Sequence, residues 1–564
     1  MLRFNVFAYF TPSHLKTLWQ KAGFSRLSVS IIFILFAIVF SMMILMRSKR
    51  PVYLLDYVCW QPPEQVAISH DEYLKRAQES GCYTQASLDF QRFLLTHNGL
   101  SNSTYLPPQV FNPQMTLNDC LTEVLTCVFG ILDKLFAENP FFDAQSQLDI
   151  LIIACPSFST QPSVCEYVCN RYKLKTSIKS YSLSGMGTAS GLLAIDLAQD
   201  LLQTKSQLHA VVITTDCCNA NWYRGNDKDL LVANTLWRWG GAGVLLSNSS
   251  KDQRYGRYKL LKCIRTNMAQ NDDCFRSIEV KEDDEGKAGM HLSKTLRRPM
   301  GIGLKMNINM LCPYIMSMDD LFRVSLNRWL KKHFNTQLPF KLDFTKYINH
   351  FCVHAGGIKL INDIRRNLSL SDDTIEAAYA TLSRYGLLSG PSPWYQLAFL
   401  ERKKRIRRGD TIWQLSYGSG FISVSATWIA LRGSDLDATG DSWPELIVDP
   451  SHQYTLGTGG DEQEVEEQER GAEEQREESE REEEEERMDE EGEESERNDV
   501  MRKKTDSDEQ GIRSGRSNGV LDEEDDEQNQ ENSITQEDER FLEETKQIMQ
   551  RKVQIVRLVP HDPE

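Results

Sequence analysis

The chain has 564 residues, 40% hydrophobic and 26% charged, which is enough apolar sequence for two or more domains of ordinary size. Its formal net charge of −16 is unevenly distributed, because residues 461–540 carry −25 and the rest of the chain carries +9. The thirteen cysteines are scattered and odd in number, which excludes a small disulfide scaffold and favours reduced thiols in a cytosol-facing protein. No cysteines have zinc-finger spacing, and we expect neither a metal site nor a nucleic-acid partner.

The first predicted element is a membrane anchor within residues 1–50. The run Leu27–Met46 holds 20 residues without a charge, and at the rise of a helix it reaches about 30 Å, one hydrocarbon thickness. A signal peptide is the alternative, but the run is long for one and no small-residue cleavage site follows. The sequence therefore predicts a retained transmembrane helix over residues 27–46. Basic residues on both flanks specify its orientation only weakly.

The next region, residues 51–435, has a globular composition in which strand-like and helical patterns alternate. Leu148–Ala154 and Leu208–Ile213 are apolar runs typical of strands buried on both faces. Between them, leucines from Leu192 to Leu202 recur at helical spacing, and Gly240–Leu246 is a glycine-led strand. Strand, helix and strand in this order predict a layered α/β fold around a buried sheet.

The end of the chain, residues 436–564, is predicted to be a linker and an acidic tail. Residues 459–540 hold almost no aliphatic side chains, so they cannot bury enough apolar surface to offset chain entropy, and we expect disorder. Phe541–Leu558 regains apolar residues and could form a short helix. The tail is interpreted as a solvating extension, with an arm that docks a basic partner as the alternative.

The segment Ser184–Gly191 is a glycine-rich turn that leads into the helix predicted near Leu192. Backbone N–H groups at such a helix start favour negative charge, a geometry that suits a nucleophile and its oxyanion hole. Thr188 lies at the tip of this turn. On spacing alone, a helix-capping turn with Thr188 or Ser190 as the cap is the simpler interpretation.

Two further segments carry candidate residues. In His350–Gly357 the pattern is strand-like, which favours a strand end with His354 at its tip over a zinc pair of histidines on a helix. Tyr417–Phe421 is a glycine turn after the strand predicted around Thr411–Ser416, and alone it says little.

Taken together, these motifs resemble those of the plant 3-ketoacyl-CoA synthases, the membrane-bound condensing enzymes of very-long-chain fatty acid elongation. The matching segments run in family order over about two thirds of the chain: Val52–Cys59, Gly185–Gly187, Asn221–Asn226, Gly240–Ala242, Leu292–Lys294, His350–Gly357 and Gly418–Phe421.

The resemblance implies a thiolase-like fold: a duplicated, five-layered αβαβα arrangement with halves at residues 51–250 and 251–435. It also implies acyl-CoA and malonyl-CoA as substrates, with no cofactor beyond these CoA thioesters. It further implies a dimer, anchored in the endoplasmic reticulum membrane with its body facing the cytosol.

In the family, a cysteine after Gly-Met-Gly accepts the acyl group, and a histidine and an asparagine stabilise the decarboxylating malonyl group. Carried over residue by residue, the nucleophile position holds Thr188, and the histidine position keeps His354, with His350 matching an earlier family histidine. The family stretch His-Arg-Phe-Gly-Asn-Thr-Ser corresponds to residues 383–389, so that Ser383 replaces a histidine and Leu387 replaces the asparagine. Two of the three central groups are therefore missing.

These departures lead to three hypotheses. The first is a catalytically impaired family member that binds acyl-CoA or pairs with an active synthase. The second is an active acyltransferase that uses Thr188 or relocated chemistry, although Cys352, Cys217 and Cys218 are poor candidates to replace the lost thiol. The third is a membrane-tethered interaction or regulatory protein whose acidic tail is the working part.

Overall fold

The computed structural model describes residues 50–317, 319–320, 323–324, 326–327 and 343–434, so the predicted anchor at 27–46 and the acidic tail lie outside the described residues. Within these ranges, no helix is long and apolar enough to cross a membrane. The helices are α1 His70–Glu79, α2 Gln85–His97, α3 Leu117–Glu138, α4 Ala144–Gln147, α5 Val164–Tyr172, α6 Ser190–Leu202, α7 Lys228–Leu236, α8 Asp272–Phe275, α9 Arg297–Ile315, α10 Ile358–Leu368, α11 Asp372–Tyr385 and α12 Ser392–Arg402. The strands are β1 Val52–Trp60, β2 Ala67–Ile68, β3 Thr104–Tyr105, β4 Leu148–Ala154, β5 Lys179–Leu183, β6 His209–Thr215, β7 Gly241–Ser247, β8 Tyr258–Asn267, β9 Ile278–Glu282, β10 Ala288–Leu292, β11 His350–Cys352, β12 Thr411–Gly418 and β13 Ile422–Ala430.

Nine of these strands form one mixed sheet in the order β11-β12-β13-β8-β1-β7-β6-β4-β5. The two strands at each end run parallel, as does the β4–β6 pair, and the pairs between β6 and β12 are antiparallel. The order β4-β6-β7-β1 on one side is repeated by β11-β12-β13-β8 on the other, with the same strand directions. The antiparallel pairing of β1 with β8, centred on Tyr53 opposite Lys259, joins the two sets.

Three apolar clusters lie against the two halves of the sheet. The first packs α3, through Val128, on the β4–β7 half. The second places α6 and α12 between the halves, through Leu192 and Trp394. The third packs α9 and α10, through Leu304 and Ile364, on the β11–β13 half. Helices therefore cover both faces of each half, as the near-continuous apolar strand sequences require.

Strand β4 shows why the sequence folds in this way. Ile150 and Ile152 belong to the cluster between the halves, whereas Leu151 and Ile153 belong to the cluster under α3. Successive side chains of a strand point to opposite faces, so a run without polar alternation fits only a strand that is covered on both sides. The predicted α/β class, and a strand over Leu148–Ala154, are confirmed.

The thirteen cysteines all lie within the described residues. The expectation of reduced cysteines stays a prediction. Most are buried and serve as small apolar side chains in the core.

Candidate functional site

The candidate site lies where parallel strands of both halves end, the usual position of ligands in α/β sheets. The 185–188 turn follows β5, and its start is held by a hydrogen bond of 2.9 Å from the Gly185 N–H to the carbonyl of Pro156, which follows β4. A short 3-10 turn, Gly187–Ala189, then leads directly into α6. His354 follows the end of β11, and Gly418 ends β12.

Glycines let the 185–188 turn and the 418–420 turn pack backbone against backbone. Gly187 has φ +57°, and a Cβ added there would lie 2.6 Å from the Ser419 nitrogen. A Cβ added at Gly418 would lie 2.4 Å from the carbonyl oxygen of Met186. Side chains at either position would force the turns apart. The Gly-Ser-Gly turn, which is uninformative alone, is thus part of the wall of the site.

Thr188 is buried, and its hydroxyl donates a hydrogen bond to the backbone carbonyl of Tyr417. The Ser416 hydroxyl donates in turn to the Thr188 carbonyl over 3.3 Å. The interpretation of Thr188 or Ser190 as a helix cap is wrong: the cap position of α6 is Ala189, which has no side-chain capping bond, and the Ser190 hydroxyl has no partner. The Thr188 hydroxyl instead donates its hydrogen bond to a carbonyl of β12, which lies in the other half of the sheet.

His354 is buried beside this pair. Its ring meets the Tyr417 ring edge-on with 6.0 Å between centroids, and its Nδ1 has no hydrogen-bond partner. Burial lowers the pKa of His354 to about 4, so the imidazole is neutral at pH 7. A Cβ on Gly356 would lie 2.6 Å from His354 Nε2, which shows that the ring is folded back over the glycine segment. A neutral imidazole can accept or donate one hydrogen bond at each nitrogen according to tautomer.

The structure does not bring His350 to this group. His350 is the first residue of β11, at the opposite end of the strand from His354. Its Nε2 lies 2.9 Å from Oδ2 of Asp410. We assign it a structural contact between the starts of β11 and β12.

Leu387, at the position that the resemblance matches to a family asparagine, is buried in the same apolar cluster as Val353 and Tyr417. Its backbone N–H donates to the Leu236 carbonyl, and its carbonyl accepts from the Arg238 N–H, both over 3.0 Å. These bonds fix the segment that runs on to α12 and passes the start of α6 at Gly390. The isobutyl side chain has no group that can donate a hydrogen bond.

Ser383 lies four residues before Leu387, near the end of α11, and is half-buried. Its carbonyl accepts a hydrogen bond of 2.9 Å from the Ser101 N–H. No contact in the structure joins Ser383 to Thr188 or His354.

Several buried polar atoms at the start of α6 lack partners in the described part of the chain. A Cβ on Gly390 would lie 2.3 Å from the Thr214 hydroxyl and 3.2 Å from the Ser190 hydroxyl, and neither hydroxyl forms a hydrogen bond. The hydroxyl of the neighbouring Ser389, a residue with φ +62°, is likewise unpaired. Buried polar groups are normally bonded, so these atoms and His354 Nδ1 mark a place where a ligand or water would be accommodated.

Two hydrogen-bond acceptors in the structure carried no usable sequence signal. The carbonyl of Tyr417 is one, because it is 229 residues from Thr188. The other is Glu123 on α3, which accepts hydrogen bonds from the Cys218 N–H at 2.6 Å and from the Asn219 side-chain amide at 2.7 Å. Burial raises the pKa of Glu123 to about 7, and its contacts hold the turn that follows β6.

The other cysteines considered as replacement nucleophiles are buried. Burial raises the pKa of the Cys352, Cys217 and Cys218 thiols above the ordinary range, which suppresses the thiolate that attack requires. None therefore replaces the missing thiol at residue 188.

The fold and site define an α/β protein of the thiolase-like class, as comparison with known proteins shows. Residues 44–334 match the family described as FAE1/Type III polyketide synthase-like protein, and residues 345–429 match the C-terminal region of 3-oxoacyl-(acyl-carrier-protein) synthase III. A solved structure, PKS-I from the brown alga Ectocarpus siliculosus, aligns with a TM-score of 0.53 at 14% identity, covering 68% of this chain and 99% of that one. That likeness establishes the fold.

Curated relatives narrow the class to a family. The chain is 38% identical to 3-ketoacyl-CoA synthase 4 of Arabidopsis thaliana over 425 residues, which is 75% of this chain and 82% of the relative. It is 37% identical to 3-ketoacyl-CoA synthase 11 of the same plant over 454 residues, covering 79% and 87%. The chain belongs to the 3-ketoacyl-CoA synthase family, and the resemblance seen in its motifs is confirmed.

Proposed function

We propose that this protein is a catalytically impaired 3-ketoacyl-CoA synthase that retains the scaffold for acyl-CoA and malonyl-CoA. The observation that carries the proposal is the bond from the Thr188 hydroxyl to the Tyr417 carbonyl, beside Leu387 in place of an amide. The unpaired polar atoms at the start of α6 support a retained binding site.

The chemistry of residue 188 favours impairment over catalysis by threonine. A free thiol is a few per cent thiolate at neutral pH, whereas a hydroxyl has no accessible anion and needs an adjacent base. The Thr188 hydroxyl donates to a carbonyl, which cannot act as that base. At the second position, loss of one oxyanion-type hydrogen-bond donor costs on the order of 10²–10³ in rate, and Leu387 can donate none.

The wider proposal covers location and assembly. The uncharged run 27–46 supports a membrane anchor. The scattered, odd-numbered cysteines support a body that faces the cytosol, in the endoplasmic reticulum where acyl-CoA is elongated. The repeated strand order and the three apolar clusters support a duplicated, five-layered thiolase-like fold. Such a body would form a homodimer, or a heterodimer that tunes an active synthase.

Acyl trapping at residue 188 tests the proposal. The purified full chain is incubated with a long-chain acyl-CoA, and the peptide containing residue 188 is examined by mass spectrometry. We expect no acyl adduct on the natural chain or on the Thr188→Ala control. Thr188→Cys restores a thiol at the start of α6, so we expect that variant to gain an adduct that hydroxylamine releases. An acyl ester on Thr188 that elongates when malonyl-CoA is added would show that the natural protein is active.

A second variant separates the two missing groups. With malonyl-CoA present, Thr188→Cys combined with Leu387→Asn should form 3-ketoacyl product on the order of 10²–10³ faster than Thr188→Cys alone. Equal rates would show that residue 387 does not contact the reacting malonyl group. Release of carbon dioxide, measured in the same samples, reports decarboxylation separately from condensation.

A further inference from the structure

The outward side of α9 carries a regular row of exposed apolar side chains. Ile302, Met306, Met310 and Tyr314 follow one another at spacings of four residues, and each side chain is between 41% and 52% exposed. Residues four apart lie on one face of a helix, so the four form a continuous surface, here termed the α9 stripe. Contiguous exposed apolar surface of this kind marks an interaction site.

Contacts made by the opposite face of α9 hold the helix with the stripe facing outward. Asn307 is fully buried and donates to the carbonyls of Ile264 at 3.3 Å and Ser423 at 3.1 Å. A Cβ on Gly303 would lie 3.0 Å from the Phe421 ring, next to the glycine turn that packs on the 185–188 turn. One face of the helix therefore packs on β8, β13 and Phe421, and the other face presents the stripe.

The charged side chains of α9 itself are all positive. Helix α9 contains Arg297, Arg298 and Lys305 and no carboxylate. Arg297 is paired with Asp363, and an Arg298 nitrogen lies 3.8 Å from an Asp273 carboxylate oxygen in an exposed ion pair. Lys305 is exposed beside Met306. Lys262 of β8 places its ammonium 4.7 Å from the centre of the Tyr314 ring. An apolar row edged by lysine and arginine, with a tyrosine at one end, is the pattern of a helix at a membrane interface.

The stripe also lies close to the point where the chain leaves the predicted anchor. Tyr314 contacts Lys262, and two residues earlier on the same strand Leu260 pairs with Val52, the first residue of β1. Met46, the end of the uncharged run, is six residues before Val52 and hence within about 20 Å along an extended chain. This end of α9 is therefore within reach of any bilayer that the run crosses.

We propose that the α9 stripe lies in the interface of the membrane, with its apolar side chains among the acyl chains and its cations at anionic lipid phosphates. The inference rests on the membrane anchoring in the proposed function. Methionine suits such a surface because its flexible, polarisable side chain adapts to irregular partners.

Site-specific photocrosslinking tests this placement. A benzophenone amino acid replaces Met306 or Met310 in the full chain, reconstituted in vesicles of phosphatidylcholine and phosphatidylserine. Phe93 and Phe141, exposed at 55% and 98% on other elements, are the matched control positions. All four side chains are exposed, so the substitutions leave the core intact. After irradiation, mass spectrometry identifies what each position has captured.

We expect phospholipid adducts at positions 306 and 310 and none at 93 and 141, with more adduct in vesicles containing phosphatidylserine than in phosphatidylcholine alone. Capture of a second copy of the chain at 306 or 310 would overturn the proposal and make the stripe a protein interface. Water quenching without adduct at these positions would also overturn it. Carbonate extraction of the same vesicles measures membrane anchoring independently of the stripe. A protein that resists extraction but forms no lipid adduct is anchored in the membrane, but its α9 stripe does not lie in the interface.

Discussion

His354 is a buried histidine: folding removes its ring from water without pairing the ring with a charged side chain. Its Nδ1 is unpaired, the Tyr417 ring covers one side, and burial lowers its pKa to about 4 from an ordinary value of 6.5. Such a side chain is suited to donating or accepting a hydrogen bond in its neutral form, and unsuited to acting as a cation. In the family chemistry it would face the malonyl oxygen, so a neutral ring is the useful state.

The same burial predicts how stability depends on pH. Below pH 6.5 the unfolded chain protonates residue 354 while the folded chain does not, so stability present above pH 6.5 is lost as the pH falls to about 4. The full difference is about 3 kcal/mol. We expect the denaturation midpoint of the natural chain to fall relative to that of His354→Asn across this window. Parallel curves for the two proteins would show that His354 titrates normally in the folded state.

At the scale of elements, the two glycines of the 185–188 turn have different physical reasons for being glycine. Gly185 has φ +74° and no atom within 4 Å of an added Cβ, so only backbone conformation excludes a side chain there. Gly187 has φ +57° and also faces the backbone of Ser419. A left-handed conformation costs a non-glycine residue roughly 1–2 kcal/mol.

Alanine substitutions separate these two effects. Gly185→Ala should lower the free energy of unfolding by about 1 kcal/mol. Gly187→Ala should lower it further, because the 418–420 turn must move away from β5 and α6 as well. Thermal unfolding in detergent measures both, with Gly301→Ala, which has open space and no positive φ, as the control. Equal losses at 185 and 187 would show that the two turns are not in contact.

Local patterns predicted the elements of this fold well. Strand β4 was expected from its apolar run and occurs with the predicted bounds, and α6 follows the helical spacing of its leucines. His354 lies just after a strand end, as predicted. What local patterns could not give is pairing between distant parts of the chain. The partner of the Thr188 hydroxyl is a backbone carbonyl from β12. Because every residue has a carbonyl, no side chain in the sequence distinguishes this partner, and the helix-cap interpretation was wrong for that reason.

The site itself was predictable only through the family motifs. Spacing alone does not relate Thr188 to Leu387. In the structure both are connected to Tyr417, through a hydrogen bond for Thr188 and through a shared apolar cluster for Leu387. The family resemblance relates the two positions without knowledge of the fold. It did not supply the unpaired Ser190, Thr214 and Ser389 hydroxyls, which depend on close backbone packing at Gly390.

For the molecule as a whole, the three glycosylation sequons offer a test of the proposed cytosolic location of the body. Asn102 and Asn367 are exposed, so either would accept a glycan in the lumen of the endoplasmic reticulum. Asn248 is buried, and its side-chain amide donates to the carbonyls of Leu202 and Lys205, so the folded protein cannot present it to the transferase. A cytosolic body predicts that none of the three is modified.

Expression in microsomes, with mobility measured before and after glycosidase treatment, checks this prediction. The positive control replaces residues 1–49 with a cleavable secretion signal, which should place the same body in the lumen and add glycans at Asn102 and Asn367. Because Asn248 is packed against the end of α6, glycan there in either protein would report misfolding, which makes it an internal standard. Glycans on the exposed pair in the natural chain would place the body in the lumen, away from cytosolic malonyl-CoA, and would contradict the proposed role in elongation.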